Sequence, residues 1–195
     1  MDPPPKPTLE YKIDVIKNNI DSISIFKFIM NVNIALLTVT DTRTIDNDKS
    51  GRILVNKIKE ANHTLIDRKL CKDNKDDIVK ILKNWLKNEK IDVIITTGGT
   101  GLTGRDITPE ALDEIADKHI VGFGEIFRNL SLKTVGTSAI QSRACAVLSN
   151  GKYIFALPGS SGGVTDAWEG ILKHQLDINH KPCNFVELFP RLKEK

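Results

Sequence analysis

The sequence predicts an α/β protein whose mostly parallel sheet is covered by helices on both faces. Short apolar stretches with β-branched residues alternate with amphipathic stretches of helical length between residues 33 and 87. Strands and helices that take turns in this way are typical of parallel sheets. A further stretch, residues 91–96, is apolar almost without interruption. This is the pattern of a strand that is buried on both faces.

The individual elements follow from periodicity and from local start and stop signals. Strands are predicted at residues 34–39, 64–70, 91–96, 144–148 and 153–157, and helices at residues 50–61, 75–87, 123–132 and 164–175. Thr108-Pro109 predicts one more helix start, with the threonine hydroxyl as its cap and proline in the first helical position. Ser149-Asn150-Gly151 contains an Asn-Gly pair, which predicts a tight hairpin between the last two strands.

Length and composition favour one folded domain. The chain has 195 residues, of which 40% are hydrophobic and 27% are charged, values close to those of ordinary globular proteins. Residues 1–29 open with a proline cluster and are only weakly periodic. Because such a stretch favours neither a helix nor a strand, we expect an N-terminal extension at residues 1–29 and the domain at residues 30–195.

Charge, cysteines and hydropathy exclude several classes of protein. The net charge of +3 comes from 28 basic and 25 acidic residues without a clustered basic face, which argues against a nucleic-acid binder. The 3 cysteines show no Cys-x-x-Cys spacing, so we expect neither a disulfide framework nor a structural zinc site. The apolar stretch 23–39 is interrupted by Lys27, Asn31 and Asn33. We therefore expect no membrane span and a cytoplasmic location.

A glycine-rich loop, Thr96–Gly101, continues directly from the strand predicted at residues 91–96. Open α/β sheets bind ligands at the carboxyl ends of their strands. Adjacent glycines let backbone N–H groups approach an anion closely, and Thr97, Thr100 and Thr103 add hydroxyl donors. The alternative is a tight turn that needs glycine for its backbone. Because so many glycines and threonines stand together, we prefer a phosphate-binding loop.

Two nucleotide-binding motifs are excluded at this loop. Gly99-x-Gly101-x-x-Gly104 matches the dinucleotide fingerprint as a string, but Pro109 places the following helix too late for that motif. The phosphate loop of P-loop NTPases ends in Gly-Lys-Ser/Thr, whereas this loop continues Gly104-Arg105-Asp106. The sequence therefore predicts neither a dinucleotide site nor a P-loop.

A calcium site is also excluded upstream. Asp46–Gly51 resembles the first half of a calcium-binding loop, but the twelfth position, where a glutamate belongs, is Lys57. Helix capping by Asp48 or Ser50 explains this acidic stretch better.

Charged residues follow the ends of several predicted strands. Arg105-Asp106 combines a guanidinium for a phosphate with a carboxylate for Mg²⁺, and an exposed ion pair is the alternative. Asp73 follows the second strand and would emerge at the same sheet edge, where two carboxylates could share a metal. Its alternative role is to cap the next helix. Asp41 and Arg43 follow the first strand at that edge and have the same two interpretations.

A second loop between a strand and a helix is Pro158–Gly163, whose hydroxyls and backbone N–H groups could bind another phosphate or a nucleotide. A capped turn is the alternative. Ser142-Arg143 adds one further cation near the sheet edge. The histidines share no ligand spacing, so none is predicted to bind a metal.

The pattern of these segments is shared by a known family. In chain order they are Leu37–Asp41, Asp48–Gly51, Thr96–Gly101, Arg105–Glu110, Gly122–Glu125, Ser142-Arg143 and Leu157–Ser160. Together they resemble the MoaB/Mog family of molybdopterin-binding proteins, over residues 33–192. The segment Lys181–Phe185 is similar to the MoaB branch in particular. The resemblance implies a three-layer α/β/α domain, the molybdopterin-binding-domain fold, that assembles as a homotrimer or hexamer.

The resemblance also implies a reaction in molybdenum cofactor biosynthesis. In active relatives the terminal phosphate of molybdopterin attacks the α-phosphorus of ATP in the presence of Mg²⁺, giving adenylylated molybdopterin and pyrophosphate. Asp73 and Asp106 match the essential carboxylates, and we expect them to be catalytic and to bind Mg²⁺. The other residues expected to bind molybdopterin or nucleotide are Thr97, Gly98, Gly99, Thr100, Gly101, Arg105, Asp41, Ser142, Arg143, Pro158, Gly159 and Ser160.

Two other functions come from the same comparison. A non-catalytic molybdopterin- or nucleotide-binding member of the same family is the chief alternative. The intact run Gly104–Glu110 favours activity instead. A nucleotide pyrophosphatase related to this fold is the third function, and it is disfavoured because the additional hydrolase domain usually fused there is absent.

Overall fold

One six-stranded sheet organises residues 31–194, the part of the chain that the computed structural model describes. Its strands are β1 (Asn33–Val39), β2 (Thr64–Cys71), β3 (Val93–Thr97), β4 (Lys118–His119), β5 (Cys145–Ser149) and β6 (Lys152–Leu157), in the order β2-β1-β3-β6-β5-β4. Strands β2, β1, β3 and β6 are parallel, and β5 is antiparallel to both of its neighbours. The predicted α/β class with a mostly parallel sheet is confirmed. The extension predicted at 1–29 lies outside the described residues.

Helices cover both faces of the sheet, as the three-layer arrangement requires. They are α1 (Lys49–Glu60), α2 (Lys75–Leu86), α3 (Thr108–Asp113), α4 (Val121–Val135), α5 (Ser161–Ala167) and α6 (Lys173–Gln175). Leu54 of α1 and Phe127 of α4 pack on one face of the sheet, with Ile34 and Leu36 of β1. Helices α2 and α3 pack on the other face, where Leu37 of β1 is buried. Alternate residues of β1 therefore enter opposite cores.

The hairpin between β5 and β6 forms where the Asn-Gly pair predicts it. Ser149 pairs with Lys152, and the two residues between them have positive φ, 46° at Asn150 and 70° at Gly151. Two successive left-handed residues are what a two-residue hairpin turn of the favoured twist requires. This local prediction is confirmed.

The last helix and the start of α3 differ from the prediction. The helix predicted at 164–175 begins at Ser161 and contains a π-helical turn, Trp168–Leu172, between α5 and α6. The prediction that Thr108 caps α3 is wrong, because Thr108 lies inside the helix and the capping position, Ile107, makes no side-chain hydrogen bond to it. The Thr108 hydroxyl donates instead to the carbonyl of Gly98, at 2.8 Å.

Two of the cysteines, Cys71 and Cys145, have thiols with a raised pKa. Burial raises the pKa of the Cys71 thiol to about 12 and that of Cys145 to about 11, so neither thiol is a nucleophile near neutral pH.

Within residues 31–194, none of the helices combines the length and the apolar character that a membrane crossing needs.

Candidate active site

The glycine loop lies at the carboxyl end of β3, in the middle of the sheet. Gly98 has φ of 105° and Gly99 of 65°, a region that favours glycine. A Cβ at residue 98 would lie 2.1 Å from the carbonyl oxygen of Val39, and one at residue 99 would lie 2.4 Å from Oγ1 of Thr108. The loop therefore requires glycine both for its backbone and for its close packing against β1 and α3.

The threonines of this loop serve the fold. Thr97 and Thr100 are buried. The hydroxyl of Thr97 donates to the carbonyl of Pro158 at 2.8 Å, which ties the glycine loop to the second predicted loop. Neither side chain lines the cleft described next, whereas Thr103, the third threonine expected to donate to an anion, does line it.

A cleft of about 240 Å³ opens beside Gly99. Its lining combines the ends of β1 and β2 with the segment that follows the glycine loop. The lining residues are Val39, Thr40, Asp41, Thr42, Arg43, Asp73, Gly99, Thr103, Arg105, Asp106 and Gly159. The structure thus brings together most of the charged residues that the sequence analysis selected, although they are far apart in the chain.

The surroundings of Asp106 favour the ionised form of its carboxylate. Its Oδ2 accepts hydrogen bonds from the backbone N–H of Thr103 at 2.9 Å and from the Thr103 hydroxyl at 2.6 Å. Burial raises the pKa of this carboxyl, but the bonds from Thr103 and the backbone N–H of Gly101, with the charge of Arg143, outweigh it and lower the pKa. Thr103, whose hydroxyl was expected to donate to an anion, is therefore the residue that orients Asp106.

Asp73 has the opposite electrostatic surroundings. Burial has the largest effect on its carboxyl and raises the pKa. The negative charges of Asp41 and Asp106 raise the pKa further. Helix α2 is capped by Asn74, whose side chain accepts a hydrogen bond from the N–H of Asp77 at 3.1 Å. The alternative role of Asp73 as the cap of this helix is therefore wrong. The three carboxylates of the cleft repel one another and would be stabilised by a cation.

Arg105 and Asp41 span the cleft. Nη1 of Arg105 lies 3.3 Å from Oδ2 of Asp41. The other oxygen of Asp41 accepts from the backbone N–H of Asp73 at 3.2 Å. The Arg105 side chain is 78% exposed and lines the cleft.

The donor set fits Mg²⁺ rather than a metal held by protein ligands alone. Within residues 31–194, no group of three or more His, Cys, Asp or Glu side chains could hold a metal ion. Mg²⁺ is usually bound by one or two carboxylates together with water and substrate phosphates. Asp73 and Asp106, whose charges interact across the cleft, match that pattern.

Asp48 supports the cleft from behind and is more than the helix cap that the sequence predicts. Its side chain is fully buried. It caps α1 through the N–H of Gly51 at 2.9 Å, as predicted, and also accepts from the Thr38 hydroxyl at 2.6 Å and from Arg68 at 2.9 Å. Arg43 lies 3.7 Å from the same carboxylate and donates to the carbonyl of Gly159, so Asp48 anchors one wall of the cleft.

The pKa values of His63 and Asp48 predict that each residue makes the fold less stable in acid, in a different range of pH. Burial lowers the pKa of His63 from its ordinary value of 6.5, so the unfolded chain gains a proton first and stability falls as pH drops below 6.5. Burial opposes the ionisation of Asp48, but its hydrogen bonds lower the pKa below 3.8, so its contribution is lost only as pH falls from 3.8 through that lowered value.

Urea unfolding at a series of pH values measures this dependence. We expect His63→Gln to reduce the slope of the free energy of unfolding between pH 6.5 and 4.5, while the loss below 3.8 remains. An unchanged slope above pH 4.5 in the variant would show that another group is responsible.

Eight of the predicted site residues do not line the cleft, namely Thr97, Gly98, Thr100, Gly101, Ser142, Arg143, Pro158 and Ser160. Ser142 lines a separate pocket of about 530 Å³ next to α4. Ser160 caps α5, since its hydroxyl oxygen accepts from the N–H of Gly163 at 3.1 Å, which is the capped turn that was the alternative for this loop. The guanidinium of Arg143 is directed at the glycine loop and at Glu110 instead of the cleft.

Comparison with known proteins agrees with this architecture. Residues 35–178 match the family model described as "Probable molybdopterin binding domain". Molybdenum cofactor biosynthesis protein B of Escherichia coli (strain K12) is 43% identical over 161 residues, which cover 83% of this chain and 93% of that protein. The protein of the same name from Staphylococcus aureus (strain MRSA252) is 46% identical over 149 residues, covering 75% and 88% of the two chains.

Solved structures give the same result. A crystal structure of molybdenum cofactor biosynthesis protein B superposes with a TM-score of 0.78 and 36% identity, over 87% of this chain and 100% of that one. The tungsten cofactor synthesizing protein MoaB from Pyrococcus furiosus superposes with a TM-score of 0.66 and 32% identity, over 74% and 92% of the two chains. The resemblance to MoaB and Mog proteins is confirmed, and the chain belongs to the molybdopterin-binding domain family of molybdenum cofactor biosynthesis proteins.

Proposed function

We propose that this chain catalyses the Mg²⁺-dependent transfer of an adenylyl group from ATP to molybdopterin. The proposal rests on the observation that Asp73, Asp106 and Arg105 line one cleft beside Gly99. Nucleotidyl transfer needs positioning and neutralisation of charge more than it needs a covalent partner on the protein. Carboxylates, a guanidinium and a glycine loop supply these requirements.

The reaction needs no strong base from the protein. An oxygen of the terminal phosphate of molybdopterin forms a bond to the α-phosphorus of ATP. The bond from that phosphorus to the oxygen bridging to the β-phosphorus breaks, and pyrophosphate leaves with the electron pair. The second pKa of a phosphate monoester is about 6, so the attacking oxygen is already deprotonated at neutral pH. The absence of histidine from the described lining of the cleft is consistent with this chemistry.

Arg105 is the residue best placed to bind a phosphate. It contacts Asp41 through one nitrogen and is largely exposed. A guanidinium can donate two parallel hydrogen bonds to a phosphate, and such charge-assisted bonds are stronger than those between neutral groups. We expect Arg105 to exchange its contact with Asp41 for one with the substrate.

Asp73 and Asp106 would hold Mg²⁺, which when bound neutralises charge on the triphosphate. The two carboxylates have distinct roles before any ligand arrives. Asp106 is fixed and ionised by Thr103, whereas the pKa of Asp73 is raised by burial and by its acidic neighbours. A cation would relieve the repulsion that raises the pKa of Asp73.

Incubation of the purified chain with ATP, Mg²⁺ and molybdopterin tests the proposal. We expect adenylylated molybdopterin and an equal amount of pyrophosphate, and no pyrophosphate when either molybdopterin or Mg²⁺ is omitted. Binding of both substrates without product would identify a non-catalytic binder. Pyrophosphate released without molybdopterin would identify a nucleotide pyrophosphatase.

We also propose that the chain self-associates, as a homotrimer or hexamer, through an apolar surface on and after α4. This surface, the α4 face, consists of Val121, Leu132, Val135 and Ile140, which are 66%, 51%, 56% and 81% exposed. Large exposed apolar patches mark interaction sites.

The location of this chain in the cytoplasm stays a prediction.

Light scattering after gel filtration measures the assembly. We expect the wild-type mass to be three or six times that of the 21.7 kDa chain, and Ile140→Glu to lower it because a charge would enter the interface. Ile45→Glu, at another exposed apolar position, is the matched control. A monomeric wild type, or a mass that Ile140→Glu leaves unchanged, contradicts the proposal.

A further inference from the structure

Arg143 lies between the glycine loop and α3, and its guanidinium is bonded to the fold. Its Nε donates to the carbonyl of Gly101 at 2.7 Å, and its Nη2 donates to the carbonyl of Asp106. Both terminal nitrogens also contact the carboxylate of Glu110, the second at 3.2 Å. One side chain thus joins the end of the glycine loop, the backbone of Asp106 and the first turn of α3.

The backbone of Arg143 contributes a further bond to the same loop. Its N–H donates to the carbonyl of Thr100 at 2.9 Å. Arg143 therefore bonds the backbone at residues 100, 101 and 106, which are distant from it in the sequence. Between the held points, Thr103 orients the Asp106 carboxylate. Because Arg143 holds the backbone carbonyls of Gly101 and Asp106, on either side of Thr103, we expect the position of this carboxylate to depend on Arg143.

The remaining donor capacity of Arg143 argues against a role as a direct phosphate ligand. A guanidinium has five N–H groups. Its contacts with Gly101, Asp106 and Glu110 use most of them, and the residue does not line the cleft that holds Asp73 and Asp106. The fixed fork geometry that makes arginine suitable for bidentate contacts is here directed at protein carbonyls and a carboxylate.

We infer that Arg143 and Glu110 form a positioning pair that sets the geometry of the glycine loop and of Asp106. Neither residue contacts substrate. Glu110 orients the guanidinium, and the guanidinium holds the loop. The effect on turnover rests on the proposed transferase function, whereas the effect on the loop does not.

A set of variants tests this inference in the full chain. Arg143→Lys keeps the charge but cannot reproduce the fork, Glu110→Gln removes only the charge, and the double variant combines them. Arg191→Lys is the matched control, because the exposed side chain of Arg191 pairs with Glu194, three residues along the chain. The readouts are amide hydrogen exchange of residues 98–106 and, with molybdopterin, ATP and Mg²⁺, kcat and KM separately.

We expect Arg143→Lys to accelerate exchange at residues 98–106 and to lower kcat by about 10- to 100-fold with little change in KM, as losses of supporting hydrogen bonds around ligands do. Glu110→Gln should act in the same direction but less strongly, and the double variant should be no worse than Arg143→Lys. Arg191→Lys should change neither readout.

Two results would overturn the inference. One is wild-type exchange at residues 98–106 in Arg143→Lys. The other is an Arg143→Lys variant that raises KM and leaves kcat intact, which is the behaviour of a direct substrate ligand. If the wild-type chain shows no turnover, the proposed function fails, and the exchange comparison still decides whether Arg143 positions the loop.

Discussion

Replacing Asp106 by asparagine is expected to slow adenylyl transfer by orders of magnitude while leaving the fold intact. The side chain keeps its volume, and an amide oxygen can still accept the bonds from Thr103. What is lost is the negative charge that would hold Mg²⁺ beside the phosphates. We expect kcat to fall by roughly 100- to 1,000-fold, the size of effect found when one electrostatic group of an active site is removed. Steady-state pyrophosphate release measures this loss.

The matched control for this prediction is Asp113→Asn. Asp113 is another aspartate near the end of α3, its side chain is 60% exposed, and it does not line the cleft. We expect the control to turn over like the wild type, and both variants to unfold at the wild-type temperature. Wild-type kcat in Asp106→Asn would rule out its role in metal binding.

Replacing Asp48 by alanine is expected to have the largest effect on stability. The change removes the cap of α1 and leaves Thr38 and Arg68 without their shared buried acceptor. Loss of one partner of a buried charge pair costs about 3–5 kcal/mol, because the other charge stays buried without compensation. We expect the free energy of unfolding in urea to fall by that amount.

Asp46→Ala is the control for Asp48, because Asp46 lies in the same connection between β1 and α1 but is exposed. We expect its free energy of unfolding to stay within about 0.5 kcal/mol of the wild type. An equal loss in both variants would mean that the connection as a whole, and not the Asp48 carboxylate, stabilises this part of the fold.

Local signals predict much of this structure because they reflect short-range physics. The apolar run before Thr97 forms a strand buried on both faces. The Asn150-Gly151 pair forms the predicted hairpin because its backbone conformation suits few other residues. Asp41, Asp73 and Asp106 share one cleft because parallel strands deliver their carboxyl ends to one edge of a sheet.

Other features depend on contacts that no local pattern reveals. The hydroxyl of Thr97 bonds to Pro158, which is 61 residues away in the chain, so its neighbours could not show that it is unavailable to a ligand. Arg143 has the composition of a phosphate ligand, but its direction is set by Gly101 and Glu110. The two-residue strand β4 and the π-helical turn within the last helix are too short or too irregular to give a periodic signal.

The measurement that tests the central claim most directly follows the α-phosphate of ATP. The wild-type chain is incubated with Mg²⁺, molybdopterin and ATP labelled at the α-phosphorus, and the labelled products are separated. We predict that the label moves to the pterin, at one label for each pyrophosphate released, and that Asp106→Asn prevents this transfer. Label that stays in ATP although both substrates bind, or that appears as free AMP, would contradict transfer to molybdopterin in the cleft of Asp73, Arg105 and Asp106.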